Sequence, residues 1–247
     1  MSVVNTQLVV YVASGMPENN TSIVGGVIDS GVRASYDDPS SPSQIIIYSA
    51  TGTDTSQTFN LTGRTTAGTV ISESMSLSGT NNVTSSYTYE RILKGVLDVP
   101  ASGAVTVSGN SVNKITDIPV GETGFRRPFY DVIASIDEAR TYYEKVFVKN
   151  NNPATTLADA KIIEVNTGLA DKISFGLEDT KQSDQTITNR LAVPTGVSGG
   201  YGDGPSGIVN DQLLAGDYQG VWFKLSLDAG DTATNSFYEV QISGTTV

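Results

Sequence analysis

Apolar side chains recur at every second position through most of this 247-residue chain. A strand turns successive side chains to opposite faces of a sheet, so strict alternation marks one buried face and one wet face. Phe59 and Leu61 alternate with Thr58, Asn60 and Thr62, while Ile71, Glu73, Met75 and Leu77 oppose Ser72, Ser74 and Ser76. The same period runs through Val105/Val107, Ile173/Phe175/Leu177, Val221/Phe223/Leu225/Leu227 and Tyr238/Val240/Ile242. Short apolar, β-branched runs at Leu8–Val12, Gln44–Tyr48 and Lys161–Val165 read as further strands. Turn-forming clusters separate these segments at the ~8–12-residue spacing of an all-β sandwich or barrel. The expected fold is therefore all-β, as two β-sandwich domains of immunoglobulin-like or jelly-roll-like form. The length allows one large or two modest domains, since folded units usually run about 100–200 residues. Ile118-Pro119-Val120-Gly121-Glu122-Thr123-Gly124 has connector chemistry. The expected division is residues 1–117, a connector at 118–142, and residues 143–247.

Local signals predict two hairpins and one helix. Alternating runs on either side of Gly63-Arg64-Thr65-Thr66-Ala67-Gly68 predict a β-hairpin over Thr58 to Gly79. Val221–Leu227, the turn Asp228-Ala229-Gly230-Asp231-Thr232 and Ser236–Ser243 predict a second. Ser135 and Glu138 have capping-box spacing, which predicts a short helix over about 135–142.

Composition closes off several chemistries. The chain has no Cys and no His, so disulfides, thiol nucleophiles, His-ligated zinc and Ser-His-Asp hydrolysis are all outside its reach. With 15 basic against 26 acidic residues the formal charge is −11, against the cationic surface that phosphate backbones require. No run approaches the roughly 20 apolar residues that span a bilayer. Met1–Gln7 lacks the charged and apolar regions of a secretory signal. The Asn-x-Ser/Thr sequons at Asn19, Asn20, Asn60 and Asn82 accordingly read as ordinary loop and strand residues.

Five features remain. Gly199–Gly207 is glycine-rich but has no phosphate-binding Lys, and reads as a surface loop. Asp203, Asp211, Asp217, Asp228 and Asp231 raise structural calcium, without the spacing of a helix-loop-helix calcium site. Asp37-Asp38 before Pro39 reads as a turn, and Trp222 as core or interdomain packing ahead of ligand binding. Phe125-Arg126-Arg127-Pro128-Phe129-Tyr130 is the most distinctive hexamer, holding two of seven arginines among three aromatics. Phe125, Arg126, Arg127, Phe129 and Tyr130 are therefore the candidate interaction residues. They either seal a seam within the chain or contact another subunit. No catalytic, cofactor-binding or metal-ligating residue is expected.

Several stretches resemble the virion structural proteins of tailed bacteriophages. They are Ser22–Asp29, the hairpin Leu61–Arg64 with Ser76–Gly79, Tyr89-Glu90-Arg91-Ile92, Gly124–Tyr130, Tyr143–Asn150 and Gly220–Leu225 with Ala229-Gly230. The resemblance implies immunoglobulin-like or related sandwich modules, no enzymatic activity, no cofactor, and assembly through the shell or tail. With the acidic composition it points to a capsid decoration (cement) protein in the virion, assembled in the host cytoplasm. Its expected partners are the major capsid protein and sister copies, as a homotrimer, with neither nucleic acid nor membrane. A tail component (tube, baseplate or fibre base) and a carbohydrate-binding surface module remain alternatives.

Overall fold

A computed structural model describes residues 3, 7–34, 36–110, 113–130, 132, 135–167, 172–202, 206–231 and 238–247. Among the described residues its elements are strands and a 3-10 turn at Val209–Asp211. In chain order they are β1 (Leu8–Gly15), β2 (Val24–Arg33), β3 (Ser43–Ser49), β4 (Thr58–Arg64), β5 (Val70–Ser76), β6 (Val83–Tyr89) and β7 (Arg91–Leu97). There follow β8 (Val105–Gly109), β9 (Lys114–Ile118), β10 (Gly124–Arg126), β11 (Arg140–Asn150), β12 (Leu157–Thr167) and β13 (Ile173–Glu178). The last are β14 (Thr186–Ile187), β15 (Val197–Gly202), β16 (Ser206–Gly207), β17 (Gln212–Leu213), β18 (Tyr218–Leu227) and β19 (Tyr238–Thr246). The protein is all-β.

The chain forms two compact units, and they are not consecutive halves. One comprises Met1–Asp29 with Pro128–Val247, and the other is Ser30–Arg127. The sequence reading kept residues 1–117 together, whereas β1 pairs antiparallel with β11, Leu8 opposite Asn150 and Val12 opposite Val146. Val9, Tyr11, Val12 and Ala13 are all buried, so both faces of β1 are covered, and its ladder with β11 holds it in the sheet of the first unit. The stretch expected to be a connector contains β10, a strand of the second unit.

In the second unit, the C-terminal end of β2, β10, β7, β4 and β5 form one sheet, and β6, β3, β8 and β9 the other. Their inward residues share one core, with Phe59, Leu61, Ile92 and Phe125 from the first sheet and Ile45, Ile47, Val105 and Val107 from the second. This is a β-sandwich. The 58–79 hairpin is present as expected, in register from Thr58 opposite Ser76 to Arg64 opposite Val70. β10 runs parallel to β2, with Gly124 opposite Val32, and antiparallel to β7. Gly124 permits this close approach: a Cβ there would overlap the Gly95 carbonyl oxygen and sit 2.8 Å from Val96 Cα.

A buried carboxylate ties loops of this unit together. Asp54 accepts hydrogen bonds from the Ser49 hydroxyl at 2.5 Å and from the backbone N–H groups of Ser102 and Gly103, each at 2.9 Å. Burial pushes its carboxyl up, but those donors together outweigh burial and hold it below the usual carboxylate value.

In the first unit, β15, β13, β18, β11, β1 and the start of β2 form the larger sheet, and β14 pairs with β2. β12 anchors a smaller sheet with β16, β17 and β19. Three expectations are corrected here. The second hairpin does not form, because β11 and β13 occupy both edges of β18 and β19 pairs with β12 instead; residues 232–237 of its turn lie outside the described residues. No helix covers 135–142: the Ser135 hydroxyl accepts the Asp137 N–H, the Glu138 carboxylate pairs with Arg140, and Arg140 already begins β11. The glycine-rich stretch is strand at both described ends, with Leu177 opposite Ser198 and Phe175 opposite Gly202, and residues 203–205 are not described.

Two predictions follow from this packing. Gly124→Ala should destabilise the protein by about 1–3 kcal/mol, the usual cost of overpacking, whereas Gly52→Ala, with nothing within 4 Å, should be near neutral; urea denaturation measures both. Asp54 contributes stability that is complete above its unfolded pKa of 3.8 and is lost as pH falls through its lower folded value. Asp54→Asn should therefore lower stability at neutral pH and flatten the acid limb of a stability-versus-pH curve.

Candidate functional site

The candidate hexamer divides between the two units. Phe125 lies in β10 and is 1% exposed, its ring 4.5 Å from that of Tyr36 and 6.2 Å from that of Phe59. Arg126 is buried as well. Arg127 sits 5.0 Å above the Tyr36 ring, and its guanidinium reaches Asp38 Oδ2 at 2.9 Å. The Tyr36 hydroxyl in turn donates to the Ile92 and Leu93 carbonyls. Burial pushes that phenol up to about 12, against the pull of Arg127. Asp37-Asp38 is thus more than a turn: Asp38 Oδ1 also accepts the Ile92 N–H at 3.0 Å.

Phe129 and Tyr130 are half-buried in the other unit. Phe129 adopts a positive φ of 55°, and its N–H donates to Glu144 Oε2 at 2.7 Å. The first part of the hexamer is therefore core of one sandwich, and the remainder caps a charged group in the first unit.

That charged group is part of a buried network which sequence inspection did not single out. Glu144 and Lys145 are consecutive in β11, and both are 0% exposed. Alternation sends them to opposite faces of the sheet. Glu144 pairs with Arg190, also 0% exposed, at 2.5 Å. Arg190 additionally donates to the Pro17 carbonyl, and its own carbonyl accepts the Tyr143 N–H. Lys145 Nζ lies 2.8 Å from Glu178 Oε1 and 3.0–3.2 Å from the carbonyls of Ser183, Gly26 and Gln185. The Trp222 indole N–H donates to the same Glu178 oxygen at 3.1 Å. Gly220 makes room for this carboxylate, since any Cβ there would collide with it. Burial pulls Lys145 below the usual lysine value and pushes Glu178 above the usual glutamate value, while their mutual pairing opposes both shifts.

Chemically, the Lys145 ammonium is fully committed, while Glu178 Oε2 is buried without a hydrogen-bond partner. The ammonium faces one carboxylate oxygen and three carbonyls, more acceptors than its three hydrogens, and neither it nor Glu178 meets solvent. The arrangement clamps the β2 start, the 183–185 segment and β13 onto β11. Trp222, 0% exposed, belongs to the core with Val24, Tyr143 and Ile187.

Of the aspartates that raised calcium, Asp228 and Asp231 share Lys172, and Asp217 pairs with Lys181. Among the described residues no group of three or more acidic side chains is placed to hold a metal ion.

No family model matches the chain, and no curated protein does. Among solved structures, it aligns over its full length with 68% of the chain in the crystal structure of the infectious bursal disease virus VP2 subviral particle, at 11% identity and a TM-score of 0.17. It aligns with 66% of the chain in the 2.6 Å structure of T=1 particles derived from the same virus, at 11% identity and a TM-score of 0.16. Both neighbours come from particles of that virus, and at these scores neither likeness establishes a shared fold.

Removing one partner of the buried pair should be costly. Lys145→Met is expected to destabilise by about 3–5 kcal/mol, because Glu178 is left uncompensated. Lys145→Met combined with Glu178→Leu should recover most of that loss. Urea unfolding of the single and double variants measures the coupling, and simple additivity would show that the two charges do not depend on one another.

Proposed function

We propose that the chain is a structural component of a virus particle, and within that class a capsid decoration (cement) protein that binds the coat-protein shell. The observation that carries this reading is where its reactive side chains are spent. Lys145, Glu178, Glu144 and Arg190, the most desolvated charges of the first unit, are locked in closed pairs that fix the fold. What remains for function is contact surface: strand faces, loops, and apolar side chains such as Ile23, Val27 and Val193 that stand exposed. The resemblance of several sequence stretches to tailed-phage virion proteins supports the same reading. So does the −11 charge, which keeps free copies apart until specific contacts overcome the repulsion.

The work of such a protein is binding, without catalysis or cofactor. Copies associate with coat subunits and with one another about local three-fold axes, and bridge neighbouring capsomers. Because a ligand that binds only one state stabilises it by mass action, a subunit that recognises the expanded shell makes that shell harder to disrupt. A glycan-stacking role for Trp222 finds no support, since its ring is enclosed.

The test is direct. Purified protein added to expanded shells that lack it should co-sediment with them saturably and raise their melting temperature. Absence of shell binding, together with detection of the chain in tails by electron microscopy, would overturn the decoration reading.

A further inference from the structure

The second unit brings three arginines together, Arg64, Arg91 and Arg127. β4 and β7 pair so that Arg64 stands directly opposite Arg91. Residues facing each other across an antiparallel pair share a sheet face, and like charges in that position repel. The opposition is created by an irregularity in the ladder: Thr62 pairs with Lys94, but Gly63 pairs with Ile92, one residue of β7 being skipped. Continuous register would have set Arg64 against an apolar neighbour of Arg91. Bulges of this kind re-aim side chains and cluster near functional sites.

The bulge is actively held. The Ile92 and Leu93 carbonyls accept the Tyr36 hydroxyl, Leu93 also accepts the Arg127 N–H, and Ile92 the Arg127 Nε–H at 3.3 Å. The same contacts place the Arg127 guanidinium beside Arg91, and Asp38 lies between the two, 2.9 Å from Arg127 and 3.8 Å from Arg91 Nε. Arg64 is different. It makes no ion pair among the described residues, and its Nε is buried without a hydrogen-bond partner. All three arginines are only partly exposed, which weakens competition from water while leaving the row reachable.

We propose that Arg64, Arg91 and Arg127 form an oxyanion-binding site, which takes a carboxylate or phosphate group on the Arg64 guanidinium with Arg91 as its neighbour. A planar guanidinium offers paired N–H donors that match such a group, and a bound anion converts the repulsion between the facing cations into attraction. Asp38 already plays this part at the Arg127 end of the row. The site stands independently of the shell-binding role and holds whichever particle component the chain proves to be.

Thermal unfolding and isothermal titration, with inorganic phosphate or sodium acetate as probe against sodium chloride at matched ionic strength, test the site on the full-length protein. The melting temperature should rise saturably with phosphate, acetate or both, beyond the effect of chloride. An acetate response assigns the site to carboxylates, and a phosphate-only response to tetrahedral anions. Arg64→Gln should raise the melting temperature in chloride by relieving the repulsion, and weaken anion binding at least tenfold. Arg64→Lys, which keeps the charge but not the fork, should show an intermediate loss. Lys114→Gln, an exposed cation in another part of the unit, should respond as the unaltered protein does. The proposal fails if the unaltered protein distinguishes neither probe from chloride. It fails equally if Arg64→Gln or Arg64→Lys retains the full anion response.

Discussion

Two adjacent charged residues in the middle of a strand must point to opposite sides of a sheet, and β11 places both where water does not reach. Everything around Glu144 and Lys145 in the first unit answers that constraint. On one face Arg190 and the Phe129 N–H neutralise Glu144; on the other Glu178, Trp222 and three carbonyls enclose Lys145. An isolated buried charge costs several kcal/mol after relaxation, so none of these partners is optional once the charges are inside. The pairs need not add net stability over an apolar core. Their effect is to forbid alternatives: a strand slipped by one residue would exchange the faces of Glu144 and Lys145 and leave every partner facing a like charge or nothing.

That constraint also explains how the protein can be rich in irregular segments and still hold one arrangement. The segments at 17, 128–130 and 183–190 contribute backbone carbonyls and N–H groups to charges on a central strand. They are fastened by groups that accept no substitute of opposite sign. The second unit uses the device once more, in milder form, where the Asp54 carboxylate ties its own loop to the end of β3 and to the loop at 102–103. In both units these buried ionisable side chains are structural ties.

Much of the fold was legible because alternation is a property of single residues and their neighbours. β3, β4, β5, β8 and β13 fall where Ile45/Ile47, Phe59/Leu61, Met75, Val105/Val107 and Phe175/Leu177 put them. What escaped depends on distant residues. The turn at Asp228–Thr232 has sound hairpin chemistry, yet Val221–Leu227 was already bounded on both edges, and no local signal reports that competition. Ser135 and Glu138 had the spacing of a cap, but Arg140 took the glutamate and strand pairing took the rest. The partners of Lys145 were invisible for the same reason, since Glu178 and Gly26 lie in other strands. The one available sign was the pair itself: Glu-Lys in the middle of Tyr143-Glu144-Lys145-Val146-Phe147-Val148, an otherwise apolar run, is out of place unless something waits on each side. The candidate hexamer was half informative, marking Arg127 while missing that Arg64 and Arg91 would stand opposite each other.

The interrupted layout of the first unit bears on the cost of closing it. β1 is made early but meets β11 only across a gap of roughly 130 residues, and closing so long a flexible loop carries an entropic cost that grows with the logarithm of its length. The second unit fills most of that gap, and its opening and closing strands, β2 and β10, lie side by side in parallel. Once this intervening sandwich has folded, its two ends are neighbours and the effective loop is a small fraction of its contour. Pairing of β2 with β10 thus shortens the effective loop between β1 and β11 and lowers the entropic cost of joining them.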